Sequence, residues 1–176
     1  MKKNFVAVLL VIALSTFAVY AVDDASFQVE TSVAGINMMK LTQASFSGNK
    51  AALEGAAAYT GPLEVTASGV QPFDAYLSTL SNNRKGYTVS MTATAMASEV
   101  SGQATSYIDY TVQVNGVSIE TDGANVVAGK TVIDQLAMAG LASQSHKISL
   151  TVDSTTFDVA VEGDYEGTVT FIYAAK

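Results

Sequence analysis

The sequence contains no cysteine and one histidine, and only 9 of its 176 residues are lysine or arginine, against 16 aspartates and glutamates. Without cysteine there is neither a disulfide nor a thiol nucleophile, so stability must come from packing, backbone pairing or association. A formal charge of −7 repels nucleic acid and anionic membrane surfaces and argues against both as ligands. A Ser-His-Asp triad would have to use His146, in "SQSHKIS", and no G-x-S-x-G elbow accompanies it. His146 is expected to be an exposed residue at a strand entry. No glycine-rich loop precedes a helix, so a phosphate cradle has no support. No basic residues interleave with the aromatics, as single-stranded nucleic acid would require. The composition points away from catalysis, and no cofactor is expected.

Long apolar runs are also scarce. The longest, Phe5 to Leu14, follows Lys2 and Lys3 and precedes "AVYA" at Ala18 to Ala21. A basic start, a short apolar stretch and small residues at Val19 and Ala21 are the pattern of a cleaved secretory signal. The run is short of the ~20 residues that cross a bilayer. Cleavage after Ala21 takes 21 of the 176 residues and leaves 155, enough for one domain with a real core. Loss of Lys2 and Lys3 moves the formal charge from −7 to −9. Residues 1–21 are thus expected to be a signal peptide, and the mature chain to be exported without a membrane span.

What is present is period-two alternation. Phe27, Val29, Thr31 and Val33 share one face of "SFQVETSV". Leu63, Val65 and Ala67 repeat the pattern, as do Tyr87, Val89, Met91 and Ala93, then Ile148, Leu150 and Val152, then Phe157, Val159 and Val161. "YIDYTVQVNGVSIET" predicts a hairpin, because Asn115-Gly116 tolerates the positive φ angles of a type I′ turn. "SNNRKG" (Ser81 to Gly86) predicts a turn between a strand around 73–80 and the one starting at Tyr87. Helical spacing is brief. "TVIDQLAMAGL" (Thr131 to Leu141) and "KAALEGAAAY" (Lys50 to Tyr59) each predict a single turn or short helix. The fold class expected is all-β, an immunoglobulin-like sandwich in a single domain.

Near the end of the chain, Glu162, Asp164 and Glu166 alternate in "EGDYEG". They read as a solvated acidic edge rather than a calcium loop, since the twelve-residue ligand spacing is missing. After them Tyr165, Val169, Phe171 and Tyr173 lie on one face of an extended segment, with Gly167 between. At the other end, "SFQVETSV" puts an alternating strand among the first dozen mature residues, where chains usually fray. It either folds back as the first strand of its own sandwich or adds to a sheet edge of another molecule.

The order of these features resembles the pilin subunits of the chaperone–usher pathway, in particular the cysteine-free branch of colonisation-factor major pilins. The resemblance is carried by "FQVETSVAGINMMKL", "IDYTVQVNGVSIET" and "SQSHKISLTV…VEGDYEGTVTFIY", and so spans nearly the whole mature chain. Gly163 is the fourteenth residue counted back from Lys176, the place of a family glycine, and Tyr173 is the aromatic near the end. The resemblance implies an incomplete sandwich completed by donor-strand exchange. Residues 22–34 would be a donor extension and residues 35–176 the pilin domain. Phe27, Val29, Thr31 and Val33 would plug a neighbour's groove. Gly163, Tyr165, Gly167, Val169, Phe171 and Tyr173 would belong to the acceptor strand. Its implied partners are other copies of the chain in a surface fimbrium, a periplasmic chaperone, an outer-membrane usher and a tip adhesin. The rival readings are a self-complete secreted adhesion module and a small outer-membrane β-barrel.

Overall fold

The computed structural model describes residues 28–176, so the expected signal peptide and Phe27 lie outside the described residues. Eleven strands and two short helices are present among these residues, and the strands pair antiparallel. In chain order they are β1 (Asn37–Thr42), α1 (Lys50–Gly55), β2 (Gly69–Val70), β3 (Tyr76–Ser81), β4 (Tyr87–Ala93) and β5 (Met96–Ser98). There follow β6 (Ser106–Ile108), β7 (Tyr110–Val114), β8 (Val117–Glu120), β9 (Lys130–Gln135), β10 (Ala142–Val152), α2 (Ser154–Phe157) and β11 (Val169–Ala175). The all-β expectation holds. One sheet runs β1-β3-β10-β7-β8, with β2 added to β10, and a second runs β11-β4-β9. β5 and β6 form a separate pair.

β10 holds the larger sheet together by changing partners midway. Ala142–Lys147 pair with β3, and Ile148–Val152 then pair with β7. The buried faces of the two sheets share one core, in which Leu77, Val112, Val114 and Ile119 meet Tyr87, Val89, Met91 and Ile133. β4 alternates cleanly between buried and half-buried positions, as its sequence pattern predicts. The β7–β8 hairpin also forms as expected: Asn115 (φ 51°) and Gly116 (φ 76°) both adopt the positive φ of the predicted turn. The Ser81–Gly86 turn carries the chain from β3 to β4, which belong to different sheets, so it is a corner rather than a hairpin.

Three expectations are corrected. Thr131–Gln135 is strand, not helix. Val89 faces Ile133 while Ser90 faces Thr131, so Val132 is an extra residue in β9. That bulge turns both Val132 and Ile133 inward and breaks the alternation that would have marked the segment as a strand. The predicted strand through Phe157, Val159 and Val161 is replaced by α2. The Asp153 side chain caps α2 by accepting from Thr155 N, and Val159 and Val161 are exposed. Bonds from the Thr155 hydroxyl and amide hold the Asp153 carboxyl below the usual carboxylate range. Residues 63–67 form no strand either; this stretch is a loop whose Leu63 and Val65 line a cleft. By contrast α1 falls where Lys50–Tyr59 predicted a short helix, and it ends at Gly55. Asn49 caps its start, and Lys40 from β1 donates to the carbonyls of Leu53, Glu54 and Ala56 at its end.

α1 covers the outer face of β1 and β3, where Leu53 packs with Phe46 and Leu80. β3 is consequently buried on both faces. On that covered side Thr42, Ser78 and Ser145 form a hydroxyl chain with 2.8 and 3.0 Å links, so the polar groups buried there are satisfied.

Tyr110 sits in the shared core at 3% exposure, and burial pushes its hydroxyl up to about 12. The folded chain therefore keeps a proton that the unfolded chain releases above pH ~10. This contribution is fully present below pH ~10 and is lost as pH rises toward about 12. The Tyr110→Phe variant is expected to lose less stability than the parent between those pH values, by at most about 3 kcal/mol, in denaturant titrations. Parallel pH profiles for the two proteins would contradict the assignment.

Candidate functional site: an open seam between two sheet edges

Two sheets packed on one core have two seams where their edge strands meet, and here the seams differ. The edge strands are β8 and β9 on one side and β1 and β11 on the other, each paired with one other strand among the described residues, and β1 is also bridged at Thr42 by Ala58. Side chains stitch the β8–β9 seam. Asn115 Nδ2 donates to Val132 O at 2.8 Å, and Lys130 Nζ donates to Ser118 O at 2.8 Å. The β1–β11 seam is a trench. At the level of Val169 and Phe171 it holds a cavity of about 300 Å³, walled by Met39 and Leu41 of β1 and floored by Leu77. From Val169 it continues into a cleft of about 500 Å³ between the 59–65 loop and residues 165–168, floored by Tyr110 and Leu150.

Burial records the same asymmetry. In β4, Val89, Met91 and Ala93 are buried, yet their partners on β11, Tyr173, Phe171 and Val169, are only half-buried. The inward face of β11 is covered from below by the core and from one side by β4. Nothing among the described residues covers its other side. The backbone N–H and C=O groups along that side are the unpaired groups of an edge strand. So are those of β1 up to the end of the strand, where residues 57–59 bridge Thr42 and Tyr59 N donates to Leu41 O at 2.9 Å.

Three of the acceptor-strand residues expected from sequence, Val169, Phe171 and Tyr173, stand together on the trench face of β11. Tyr165 lines the cleft, and its hydroxyl bonds Ser106 Oγ and Val161 O at 2.9 Å. Gly167 lies where residues 166–168 prolong β11 along β5. Ala97 and Glu166 exchange two backbone bonds of 3.0 Å, while Val169 already faces Ala93. Thr94, Ala95 and Met96 thus oppose only Gly167 and Thr168, a bulge that brings the backbones close. A Cβ on Gly167 would stand 3.0 Å from Thr94 O and 3.1 Å from Met96 N. Gly163 is likewise a close approach: its Cβ would meet Ser98 Oγ at 2.3 Å.

Of the expected donor residues, Val29, Thr31 and Val33 are exposed, Val29 and Val33 at 80% and 83%, and residues 28–33 carry no strand or helix. Glu162, Asp164 and Glu166 are exposed and do not form one strand. Among the described residues no group of three His, Asp or Glu side chains is gathered closely enough to hold a metal. His146 is half-buried within β10 rather than exposed at its entry. Its Nε2 lies 3.1 Å from Gln144 Oε1, and burial pulls its pKa down.

Sequence reasoning missed the opposite wall of the trench. Met39 and Leu41 alternate inward, but Met38 just before them packs under α1, so the run "NMMKLT" shows no period of two. It also missed the trench's closed end. There the Tyr173 hydroxyl donates to Asn37 Oδ1 at 2.9 Å and lies 3.2 Å from Ser81 Oγ. No family model and no curated protein matches the chain.

The crowding at Gly167 makes a specific demand. Gly167→Ala is expected to destabilise the protein by about 1–3 kcal/mol, because two of the three facing atoms are backbone and can give little. Gly140→Ala, where a Cβ meets nothing within 4 Å, should be neutral or slightly stabilising. Chemical denaturation of the two variants checks the contrast. Equal effects would mean that the 165–168 segment is not held against β5.

Proposed function

We propose that this chain is a structural subunit of a surface fibre. It is an immunoglobulin-like sandwich short of one strand, and it polymerises head to tail by strand exchange. The observation that carries the reading is the β1–β11 trench. It has two edge strands with half-buried inward side chains, and an apolar floor between them. The "SFQVETSV" segment supplies a matching occupant in the same chain. Its alternate residues are apolar apart from Thr31, and Val29 and Val33 are exposed and outside any strand.

In this mechanism Phe27, Val29, Thr31 and Val33 of one copy enter the trench of the next. Main-chain bonds to β1 and β11 supply cohesion on both sides, and alternate side chains supply register. Burying three or four such side chains contributes about 5–10 kcal/mol before the cost of ordering the segment. Donor and acceptor surfaces are different, so the contact does not close on itself and growth continues as a fibre. Before assembly the same trench needs a substitute strand, the role of a periplasmic chaperone, and an outer-membrane usher would exchange one for the other. Export through the periplasm to the cell surface and a tip adhesin at the fibre end belong to the same proposal. The stitched β8–β9 seam is kept out of this exchange by its own side chains.

Deleting residues 22–33 tests the reading. The shortened chain is expected to be an unstable monomer that a peptide of residues 22–33 rescues, seen as a rise in Tm with peptide concentration. A shortened chain that folds fully alone and does not respond to the peptide would contradict strand exchange. Unfolding that no peptide reverses would favour a self-complete domain.

A further inference from the structure

The trench is not uniform along its length. Beside Val169 and Phe171 it is hollow, but at the next inward position of β11 it is filled. The ring of Tyr173 stacks on Tyr87, with centroids 4.9 Å apart and planes 20° from parallel, and its hydroxyl reaches Asn37 at the first residue of β1. Ser81 Oγ donates to the same Asn37 oxygen at 2.9 Å and ties the acceptor to β3. Tyr87 beneath is fully buried and bonded to Thr79 at 2.8 Å, so the Tyr173 ring is backed by a fixed surface and has no room to sink. One side chain thus spans the gap from β11 to β1 and is pinned at both ends.

We infer that Tyr173 is the end stop of the trench and sets the register of the strand that occupies it. The inference rests on the strand-exchange reading above and names a positioning residue within it. An occupant can place large inward side chains beside Val169 and Phe171, but only a small residue fits over the Tyr173 ring. A slip of one residue would turn every apolar side chain to solvent, so the register error to be prevented is a slip of two. Toward the Asn37 end, that slip drives an inward side chain into space that Tyr173 already fills. The donor segment fits this constraint with its Phe27 end at Tyr173, where the next residue of the same parity is the small Ala25. Beyond Val33 the chain is tied to its own domain, as Asn82 bonds Ala34 O and Ile36 N.

The natural absence of cysteine makes the register directly readable. Ser32 stands on the outward side of the donor segment, and Thr170, Ile172 and Ala174 stand exposed on the outward side of β11. Full-length Ser32→Cys protein is mixed with full-length Thr170→Cys, Ile172→Cys or Ala174→Cys protein, and disulfide-linked pairs between copies are measured after oxidation. Only closely opposed positions can link. With Tyr173 intact, one of the three mixtures is expected to cross-link strongly over the other two.

When Tyr173→Ala is added to the acceptor, a second mixture, shifted by two residues, should reach comparable yield. Tyr173→Phe, which keeps the ring, should retain the single dominant pairing. If Tyr173→Ala abolishes the β-sheet circular dichroism signal, Tyr173→Val keeps a good strand former and is expected to show the same second pairing. An unchanged single pairing in the folded Ala or Val variant would overturn the end stop and leave strand exchange standing. No cross-link in any mixture, with Tyr173 intact, would overturn strand exchange and the end stop with it.

Discussion

β11 is hydrogen-bonded along one side only among the described residues, and that constraint governs the rest of the molecule. A strand in this position carries a row of unpaired backbone groups, which water must satisfy until another strand does. Its inward side chains share the difficulty. Phe171 stands opposite the fully buried Met91 and stays half-exposed, because the place beside it is hollow. β1 has the same deficit across the gap up to Leu41, whose carbonyl is taken by Tyr59 N. Both could be relieved by a single extended segment lying between them, which would pair with two edges at once and fill the hollow from above.

The remaining architecture keeps that vacancy in one place. β10 ties β3 to β7 and makes the larger sheet one body. Asn115 and Lys130 bind the second seam with side chains, so the two sheets are not free to separate there. α1 seals the outer face of β1 and β3, while the trench-side edge of β1 stays open short of the Thr42–Ala58 bridge. On the proposed reading this is the division of labour a fibre subunit requires. One seam is locked, and the other is shaped and waiting. Because the chain has no cysteine, the cohesion of such a fibre would rest on backbone pairing and apolar burial alone. The acidic surface would keep subunits apart wherever strands are not exchanged.

Much of this was legible in the sequence where one local rule acts alone. Asn115-Gly116 marks its turn because few other pairs accept positive φ at both positions. β4 and β11 alternate because each has one covered face. The pattern fails where two rules overlap. β9 carries a bulge that turns Val132 and Ile133 inward together, and the remaining apolar spacing imitates a helix. In "NMMKLT" both faces carry apolar side chains, one toward the core and one toward α1, so the wall of the trench shows no period of two. α2 was hidden by the apolar alternation of Phe157, Val159 and Val161, although Asp153 is a good cap. The bond between Tyr173 and Asn37 joins residues 136 apart, and no local pattern announces it.

Amide hydrogen exchange, compared between the monomeric chain and its self-associated form, tests the central claim most directly. The account predicts that amides on β1 and β11 that are not bonded to β3 and β4 exchange quickly in the monomer and become strongly protected on association. Those at the edges of β8 and β9 should not change. Protection confined to β8 and β9, or association with no gain of protection on β1 and β11, would contradict it.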